Sequence, residues 1–148
     1  MRKVSLVAVL SLCCVLCRAG DGPNVPAAVE RALAEKYGVT DTSNWVVYKE
    51  DGRKIYATRW HDKDGVLHEA DFDSSGNVVK TSKSLKTAEL PKAVTEAVEK
   101  RLPGGTTIEA KLEEGKVTEY ELRVTDSASK QKLVVISQDG SSVMVYDF

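Results

Sequence analysis

The densest group of side chains that could bind a metal ion lies in residues 61–73. This segment contains both histidines and five carboxylates: His61, Asp62, Asp64, His68, Glu69, Asp71 and Asp73. Imidazole nitrogens suit zinc, copper and nickel, whereas carboxylate oxygens suit magnesium, calcium and manganese. Strand alternation places His61 and His68 on opposite faces, however, and residues 62–65 have the composition of a turn. A solvated acidic hairpin is the preferred interpretation, and a metal site is the alternative.

Residues 71–76 resemble the start of a calcium-binding loop. Oxygen-bearing side chains alternate at Asp71, Asp73 and Ser75, and Gly76 occupies the sixth position. The twelfth position is Ser82, which cannot supply the bidentate carboxylate of such a loop, and a strand is predicted to follow rather than a helix. We therefore expect no calcium site here, and we assign no cofactor.

The sequence contains no recognisable catalytic constellation. All three cysteines precede residue 18, and the remaining serines lie in predicted turns and linkers without a Gly-x-Ser-x-Gly elbow. Glu119 and Glu121 share one strand face about 6.5 to 7 Å apart, which is within the range of paired carboxylates in sugar hydrolysis. Arg123 lies beside them and no sugar-stacking aromatic cluster accompanies them. A solvated face is therefore preferred, and we expect no enzyme activity.

The beginning of the chain predicts export. Arg2 and Lys3 precede an apolar run over residues 4–16, and small residues suited to cleavage follow, which is the order of a secretory signal peptide over residues 1–19. This order predicts a periplasmic or secreted protein. Cys17 also stands where a lipid-modified cysteine would stand, so a lipid anchor is the alternative. No later apolar run approaches the roughly 20 residues of a transmembrane helix.

Charge and cysteine content narrow the class of partner. Removal of Arg2, Lys3 and Arg18 lowers the basic count from 21 to 18 against 22 acidic residues, so the mature chain carries a net charge of −4. Nucleic acid binding relies on Lys and Arg that neutralise phosphates, so no nucleic acid partner is expected. A mature chain without cysteine must derive its stability from packing, because it has no disulfide.

One sequence unit is written twice. Residues 25–29 align with residues 90–94 at an offset of 65, and later positions align at an offset of 64. The aligned pairs include Tyr56 with Tyr120, Trp60 with Val124, Asp62 with Asp126, Ala70 with Val134, Phe72 with Ile136 and Gly76 with Gly140. A repeat of this kind decides the fold. We predict a first unit over residues 20–82, a linker over residues 83–89 and a second unit over residues 90–148.

Each unit is predicted to contain one helix followed by four antiparallel strands. Apolar residues recur with helical spacing over residues 25–37 and 90–102, ended by Gly38 and Pro103. The period then changes to two, which predicts strands at residues 44–49, 54–61, 66–73 and 77–82 and at residues 107–112, 116–126, 130–137 and 141–146. The fold class is therefore α+β, a tandem repeat of one helix plus a four-stranded antiparallel sheet. Because units of about 60 residues bury little surface, the two are expected to pack together or to continue one sheet into the next.

Alternation along the strands separates a core face from an opposite face. The predicted core residues are Tyr56, Thr58, Trp60, Ala70, Phe72, Tyr120, Leu122, Val124, Val134 and Ile136. The opposite face carries Ile55, Ala57, Arg59, His61, Glu69 and Asp71 in the first unit and Glu119, Glu121, Arg123, Leu133 and Val135 in the second. A solvated face explains this mixture best. A binding surface is the alternative, since the centres of protein interfaces are enriched in Arg with apolar neighbours. Trp45 is predicted to cap the core rather than to anchor a partner.

Several motifs resemble those of one bacterial family. They are Leu/Val-Pro-x-Ala-Val at residues 25–29 and 90–94, the Tyr-centred strands at residues 55–57 and 119–121, and the turn at residues 72–78. Over nearly all of the chain after residue 19, the sequence resembles the exported PepSY-like, beta-lactamase-inhibitor-like family. The resemblance implies the fold of the beta-lactamase inhibitory protein, a tandem of helix and antiparallel-sheet repeats whose exposed sheet face grips a protein. Fold does not fix activity, and no inhibitory contact residue can be matched here.

Two functional hypotheses follow. The leading one is an exported, non-enzymatic module that presents its sheet face to a protein or peptide, with inhibition of an envelope enzyme as its narrower form. Its candidate contact residues are Arg59, His61, Glu69, Glu119, Glu121, Arg123, Leu133 and Val135. The alternative is an envelope sensor or carrier of a small ligand or metal ion, centred on the hairpin at residues 61–73. A purely structural envelope component is a third possibility.

Overall fold

One helix followed by four strands occurs twice along the chain. The computed structural model describes residues 23–41 and 44–148, so the predicted signal peptide and Cys17 lie outside the described residues. The helices are α1 (Ala27–Tyr37) and α2 (Lys92–Arg101), and a 3₁₀ turn at Thr87–Glu89 precedes α2. The strands are β1 (Val46–Glu50), β2 (Arg53–His61), β3 (Leu67–Asp73), β4 (Val78–Leu85), β5 (Thr106–Glu114), β6 (Thr118–Thr125), β7 (Gln131–Ser137) and β8 (Val143–Asp147).

All eight strands belong to one antiparallel sheet, in which each strand lies beside its neighbour in sequence. The two halves meet where β4 pairs with β5, for example at Lys83↔Leu112 and Leu85↔Ala110. Of the two arrangements expected for the units, the structure has the one in which one sheet continues into the next, rather than two separate four-stranded sheets. Its physical reason is that an unpaired edge leaves backbone N–H and C=O groups without partners, and the β4–β5 ladder satisfies two such edges at once. Residues 83–85, assigned above to a linker, therefore lie in β4.

Each helix begins and ends where backbone chemistry favours it. Pro26 stands at the N-cap of α1 and Pro91 at the N-cap of α2, so each helix starts directly after a proline. Gly38 ends α1 in the left-handed conformation and donates its N–H to the carbonyl oxygen of Ala34. The strand residues that pack under α1 and those that pack under α2 lie on one face of the sheet through the β4–β5 register, so both helices lie on the same side.

Two apolar clusters form under the helices, one in each half. The first contains Val29, Leu33, Trp45, Tyr56, Ala70 and Phe72, and the second contains Leu90, Val94, Val98, Ala110, Tyr120, Leu122, Val124, Val134 and Ile136. The predicted core face is confirmed, with Thr58 also buried and Trp60 packed against the first cluster. Trp45 lies 6.1 Å from the ring centroid of Phe72, so it belongs to the core, as expected.

Two glycines bring hairpin turns into contact with the helices. Gly76, in the β3–β4 turn, has φ +83°, and a Cβ atom there would lie 2.5 Å from the carbonyl oxygen of Ala28. Gly140, in the β7–β8 turn, has φ +74°, and its Cβ would lie 2.6 Å from the carbonyl oxygen of Ala93. Only glycine fits both the backbone conformation and the close approach. Each helix therefore packs directly against the turn that joins the third and fourth strands of its own half.

Replacement of Gly76 tests this close approach. Gly76→Ala should lower the free energy of unfolding by about 3 kcal/mol, because left-handed strain adds to a clash with helix backbone. Gly65→Ala is the matched control, since Gly65 has φ +79° with no atom within 4 Å of the added Cβ. Its cost should be about 1 kcal/mol from strain alone. Urea unfolding measures both, and equal losses would contradict the close approach.

Candidate functional site

The sheet surface turned away from both helices is called the open face. No helix covers it in the part of the chain that the structure describes. The register pairs Arg59 with Glu69, Glu121 with Val135, and Arg123 with Leu133 across neighbouring strands. Strand alternation then places all eight candidate contact residues on this one face: Arg59, His61, Glu69, Glu119, Glu121, Arg123, Leu133 and Val135.

These eight residues do not form one cluster. Arg59 and His61 lie on β2, whereas Leu133 and Val135 lie on β7, five strands away. At about 4.8 Å per strand this separation is roughly 24 Å. The strands between them carry the charged residues that connect the two groups.

Half-buried ion pairs occupy the middle of the open face. Lys111 Nζ lies 3.2 Å from Glu113 Oε1, 3.3 Å from Glu69 Oε2 and 3.7 Å from Glu121 Oε1. Lys80 Nζ lies 3.6 Å from Glu113 Oε1 and 3.7 Å from Asp71 Oδ2. The charged centre is defined as Glu69, Asp71, Lys80, Lys111, Glu113 and Glu121. It crosses from β3 and β4 of the first half to β5 and β6 of the second.

The ion pairs outweigh burial in setting the ionisation of Lys111 and Glu69. Burial lowers the pKa of Lys111. The carboxylates of Glu121, Glu113 and Glu69 together raise that pKa by a larger amount, so its net shift is upward. Burial raises the pKa of Glu69, but Lys111 and the hydroxyl of Ser82, 3.0 Å away, lower it to below its usual value. Both groups therefore stay charged at neutral pH.

Tyr48 covers part of the open face that was expected to be solvated. Its hydroxyl donates a 2.7 Å hydrogen bond to Asp71 Oδ2, although Tyr48 lies on β1 and Asp71 on β3. The phenol ring must therefore cross β2, where Ile55 lies directly opposite Tyr48. Ile55 is 0% exposed and Asp71 only 6% exposed, which corrects their placement on a solvated surface. Burial and the bond to Asp71 raise the pKa of Tyr48, and burial is the main cause of a raised pKa at Asp71.

Glu119 stands apart from the charged centre in its pairing. It lies directly opposite Glu113 on the neighbouring strand, and in the described residues it forms no ion pair. Like charges directly opposite each other in a sheet are destabilising. The lysines near Glu113 are shared with Asp71, Glu69 and Glu121. Within the described residues, Glu119 is therefore an open-face carboxylate that forms no ion pair and faces a second carboxylate.

An apolar shelf lies beside these carboxylates. It is formed by Leu133 and Val135 on β7 and by Tyr146 and Met144, which pair with them on β8. All four side chains are partly exposed. Arg123 borders the shelf, and its guanidinium contacts Glu109 Oε2 at 3.4 Å and the ring of Phe148 at 5.6 Å from the centroid.

The acidic hairpin at residues 61–73 uses its carboxylates to build turns. Asp62 Oδ1 accepts the N–H groups of residues 64 and 66, and Asp73 Oδ1 accepts those of residues 75 and 77. His68 contacts Asp62 Oδ2 at 2.8 Å and stacks on Trp60, whereas His61 pairs with Leu67 on the open face. Within residues 23–41 and 44–148, no three metal-ligating side chains converge. The hairpin therefore does not assemble the metal site considered from sequence.

Arg59 and His61 border a shallow cavity at the end of β2. The cavity has a volume of about 460 Å³ and is also lined by Trp60 and Leu67. The side chains of Arg59 and His61 are exposed there. They form the rim of the open face rather than its centre.

Sequence reasoning missed several residues of the open face. Tyr48, Lys80, Lys111, Glu113, Met144 and Tyr146 all lie on it but were not named as candidates. The alternation of charge at residues 109, 111 and 113 indicates that these side chains share one face of β5. It does not indicate their ion-pair partners, because those depend on β4 and β5 being neighbours.

Comparison with known proteins identifies the fold. No known family profile matches the sequence, and no curated protein matches it significantly. Among solved structures, the chain is similar to a DUF2874 family protein of Bacteroides uniformis, with a TM-score of 0.66 and 16% identity over 83% of this chain and 89% of the other. It is similar to a Bacteroides eggerthii protein provisionally described as periplasmic, with a TM-score of 0.63 and 12% identity over 82% and 88%. It is also similar to a BLIP-like protein of Bacteroides fragilis, with a TM-score of 0.57 and 20% identity over 83% and 86%.

At these identities the likeness concerns the fold alone. The chain has the α+β fold of these proteins, in which two helices pack on an antiparallel sheet, and this fold is BLIP-like. The beta-lactamase-inhibitor-like part of the predicted resemblance is therefore supported as fold, while its PepSY part stays a prediction. In the described residues, neither helix has the length and hydropathy needed to cross a membrane.

Removal of the Glu119 charge should stabilise the protein. Glu119→Gln relieves the repulsion from Glu113, so we expect the free energy of unfolding to rise by about 0.5 kcal/mol. Glu121→Gln removes a carboxylate that pairs with Lys111 and should not produce this gain. Urea unfolding at neutral pH and low salt compares the two variants. A loss of stability in Glu119→Gln would contradict the repulsion.

Proposed function

We propose that this protein is an exported, non-enzymatic module that docks a protein or peptide onto its open face. The observation that carries the proposal is the position of the apolar shelf directly beside the charged centre, on a surface that neither helix covers. Interface centres combine apolar and aromatic contact area with a few fixed polar groups. On the open face, the partly exposed Leu133, Val135, Met144 and Tyr146 supply the contact area, and the ion-paired side chains beside them supply the polar groups.

The ion pairs make the surface suited to binding because they hold its side chains in place. Lys111 contacts three carboxylates, so Lys111 and these carboxylate side chains lose little further conformational freedom when a partner binds. Immobilising a free side chain on binding costs about 0.5–1.5 kcal/mol, and a preorganised face avoids part of that cost. Strands also position side chains more precisely than loops do.

The candidate residues take different parts in this proposal. Glu119, Glu121, Arg123, Leu133 and Val135 form the central contact area on β6 and β7. Glu69 joins this area through Lys111. Arg59 and His61 contact only a partner large enough to reach the rim at β2.

Export is part of the same proposal. Residues 1–19 serve as a signal peptide, with lipid attachment at Cys17 as the alternative, and the protein acts in the periplasm or outside the cell. The described periplasmic location of a structurally similar protein supports this assignment. A BLIP-like fold favours a protein partner over a small molecule or nucleic acid. Inhibition of an envelope enzyme is the narrower form of the proposal, implied by the family resemblance.

The open face is proposed to derive from two copies of one unit, as the sequence offsets indicate. The contacts of Gly76 with Ala28 and of Gly140 with Ala93 support this view, because aligned positions make the same close approach. Asp62 and Asp126 also accept N–H groups two and four residues later in the same manner. On the open face the second copy carries the apolar shelf, with Leu133 and Val135 at the positions that align with Glu69 and Asp71.

The alternative of a metal or small-ligand carrier receives less support. The carboxylates of Asp62 and Asp73 are occupied by turn N–H groups, and the two histidines lie on opposite faces. The cavity beside Arg59 and His61 is open and shallow. We therefore keep the docking function as the proposal.

The apolar shelf provides the test. A tagged protein is used to capture partners from an envelope extract of its native host, and each captured protein is purified and titrated. Leu133→Thr with Val135→Thr should weaken binding at least roughly tenfold, because both substitutions remove apolar area that a docked partner buries, while threonine retains strand propensity.

Ile108→Thr with Val117→Thr is the matched control. Both residues are exposed, at 45% and 62%, and neither belongs to the shelf. The proposal predicts unchanged affinity for this control. A partner that binds the shelf variant as tightly as the original protein would overturn the assignment of the open face.

A further inference from the structure

The charge balance of the open face indicates the chemistry of the partner. The charged centre together with Glu119 contains five carboxylates and two ammonium groups, which gives a formal charge of 2 minus 5, or −3. Arg123 is engaged with Glu109 and Phe148. The part of the face beside the apolar shelf is therefore negative in excess.

The register places this excess next to apolar contact area. Glu121 lies directly opposite Val135, which in turn lies opposite Met144. Glu119, the carboxylate without an ion pair in the described residues, lies opposite Ser137 at the next position on the same face. A partner that covers the shelf must also cover these carboxylates. Covering an unpaired carboxylate is costly unless the partner supplies a cation.

We propose that the open face binds a protein segment in which a lysine or arginine stands next to an apolar side chain. This inference rests on the docking function proposed above and specifies the class of its partner. The apolar side chain packs on Val135 and Met144 of the apolar shelf, and the cation pairs with Glu119 and Glu121. An extended segment suits this arrangement, because side chains two residues apart project from the same side.

The same charge balance argues against other occupants. A second copy of this chain would bring the same excess of carboxylates against the first, and like-charge contacts disfavour association. Anionic lipid surfaces and nucleic acids are repelled for the same reason. The position of Glu119 opposite Glu113 fits a binding role, since the like charges destabilise the free sheet and a bound cation would compensate them.

Selection from a library of random peptides displayed on phage tests this inference with the immobilised protein. The enriched peptides should contain Lys or Arg adjacent to, or two residues from, an apolar residue. Binding of a synthetic enriched peptide should fall at high salt, since charge pairs near the surface are screened.

Two matched double variants separate the carboxylates from general surface charge. Glu119→Gln with Glu121→Gln should lower the affinity for the peptide at least roughly tenfold, as expected for loss of charge-assisted hydrogen bonds. The variant should keep its fold, because Lys111 retains Glu69 and Glu113. Glu30→Gln with Glu35→Gln, on the exposed side of α1, removes the same charge and should leave binding unchanged.

The outcomes distinguish this inference from the docking function. Peptides that lack a basic residue, or that bind the Glu119 and Glu121 variant unchanged, would overturn the inference. If such peptides still lose affinity in the Leu133→Thr with Val135→Thr variant, the docking function stands without it. If no enriched peptide depends on the apolar shelf or on the carboxylates for binding, both the inference and the docking function are overturned.

Discussion

The pairing of β4 with β5 is the contact on which the rest of this structure depends. Each half has its own helix and apolar cluster, but only this ladder joins the halves into one sheet. A unit of about 60 residues buries little surface on folding, so a shared sheet gives each half protection of an edge that it would otherwise expose. The open face is continuous because β4 and β5 are neighbours.

The charged centre has the same origin. Lys111 of the second half reaches Glu69 of the first, and Lys80 of the first reaches Glu113 of the second. Partly exposed ion pairs contribute little stability each, so their main effect is to fix the position of side chains across the junction. The fold thus brings these side chains together on one surface, and in the proposal above its negative excess and apolar shelf give that surface a preference among partners.

Much of the fold could be predicted from residues whose pattern is local. Helical spacing and proline and glycine signals located both helices, and alternation assigned Tyr56, Phe72 and Ile136 to the core. The turn residues Asp62 and Gly76 were recognised as such. The polar side chains of residues 83–89 predict a linker, although β4 runs to Leu85. A strand that is polar on both faces has no alternation to reveal it.

The candidate site was predicted less completely, because its contacts are not local. Alternation placed Glu119, Glu121 and Val135 on one face but could not identify which strands lie beside them. The crossing of Tyr48 over β2 to Asp71, which buries Ile55, depends on side-chain reach rather than on pattern. Lys111 escaped notice for the same reason, since its partners come from three strands.

The central claim is that the two halves form one cooperative sheet that presents one continuous face, and unfolding tests it most directly. Both tryptophans, Trp45 and Trp60, lie in the first half, so their fluorescence reports that half, while far-ultraviolet circular dichroism reports both. Leu122→Ala removes a fully buried side chain from the second half at a cost of about 3 kcal/mol. The account predicts that the fluorescence and dichroism transitions in urea coincide and shift together in this variant. A fluorescence transition that stays in place while the dichroism splits into two steps would contradict it.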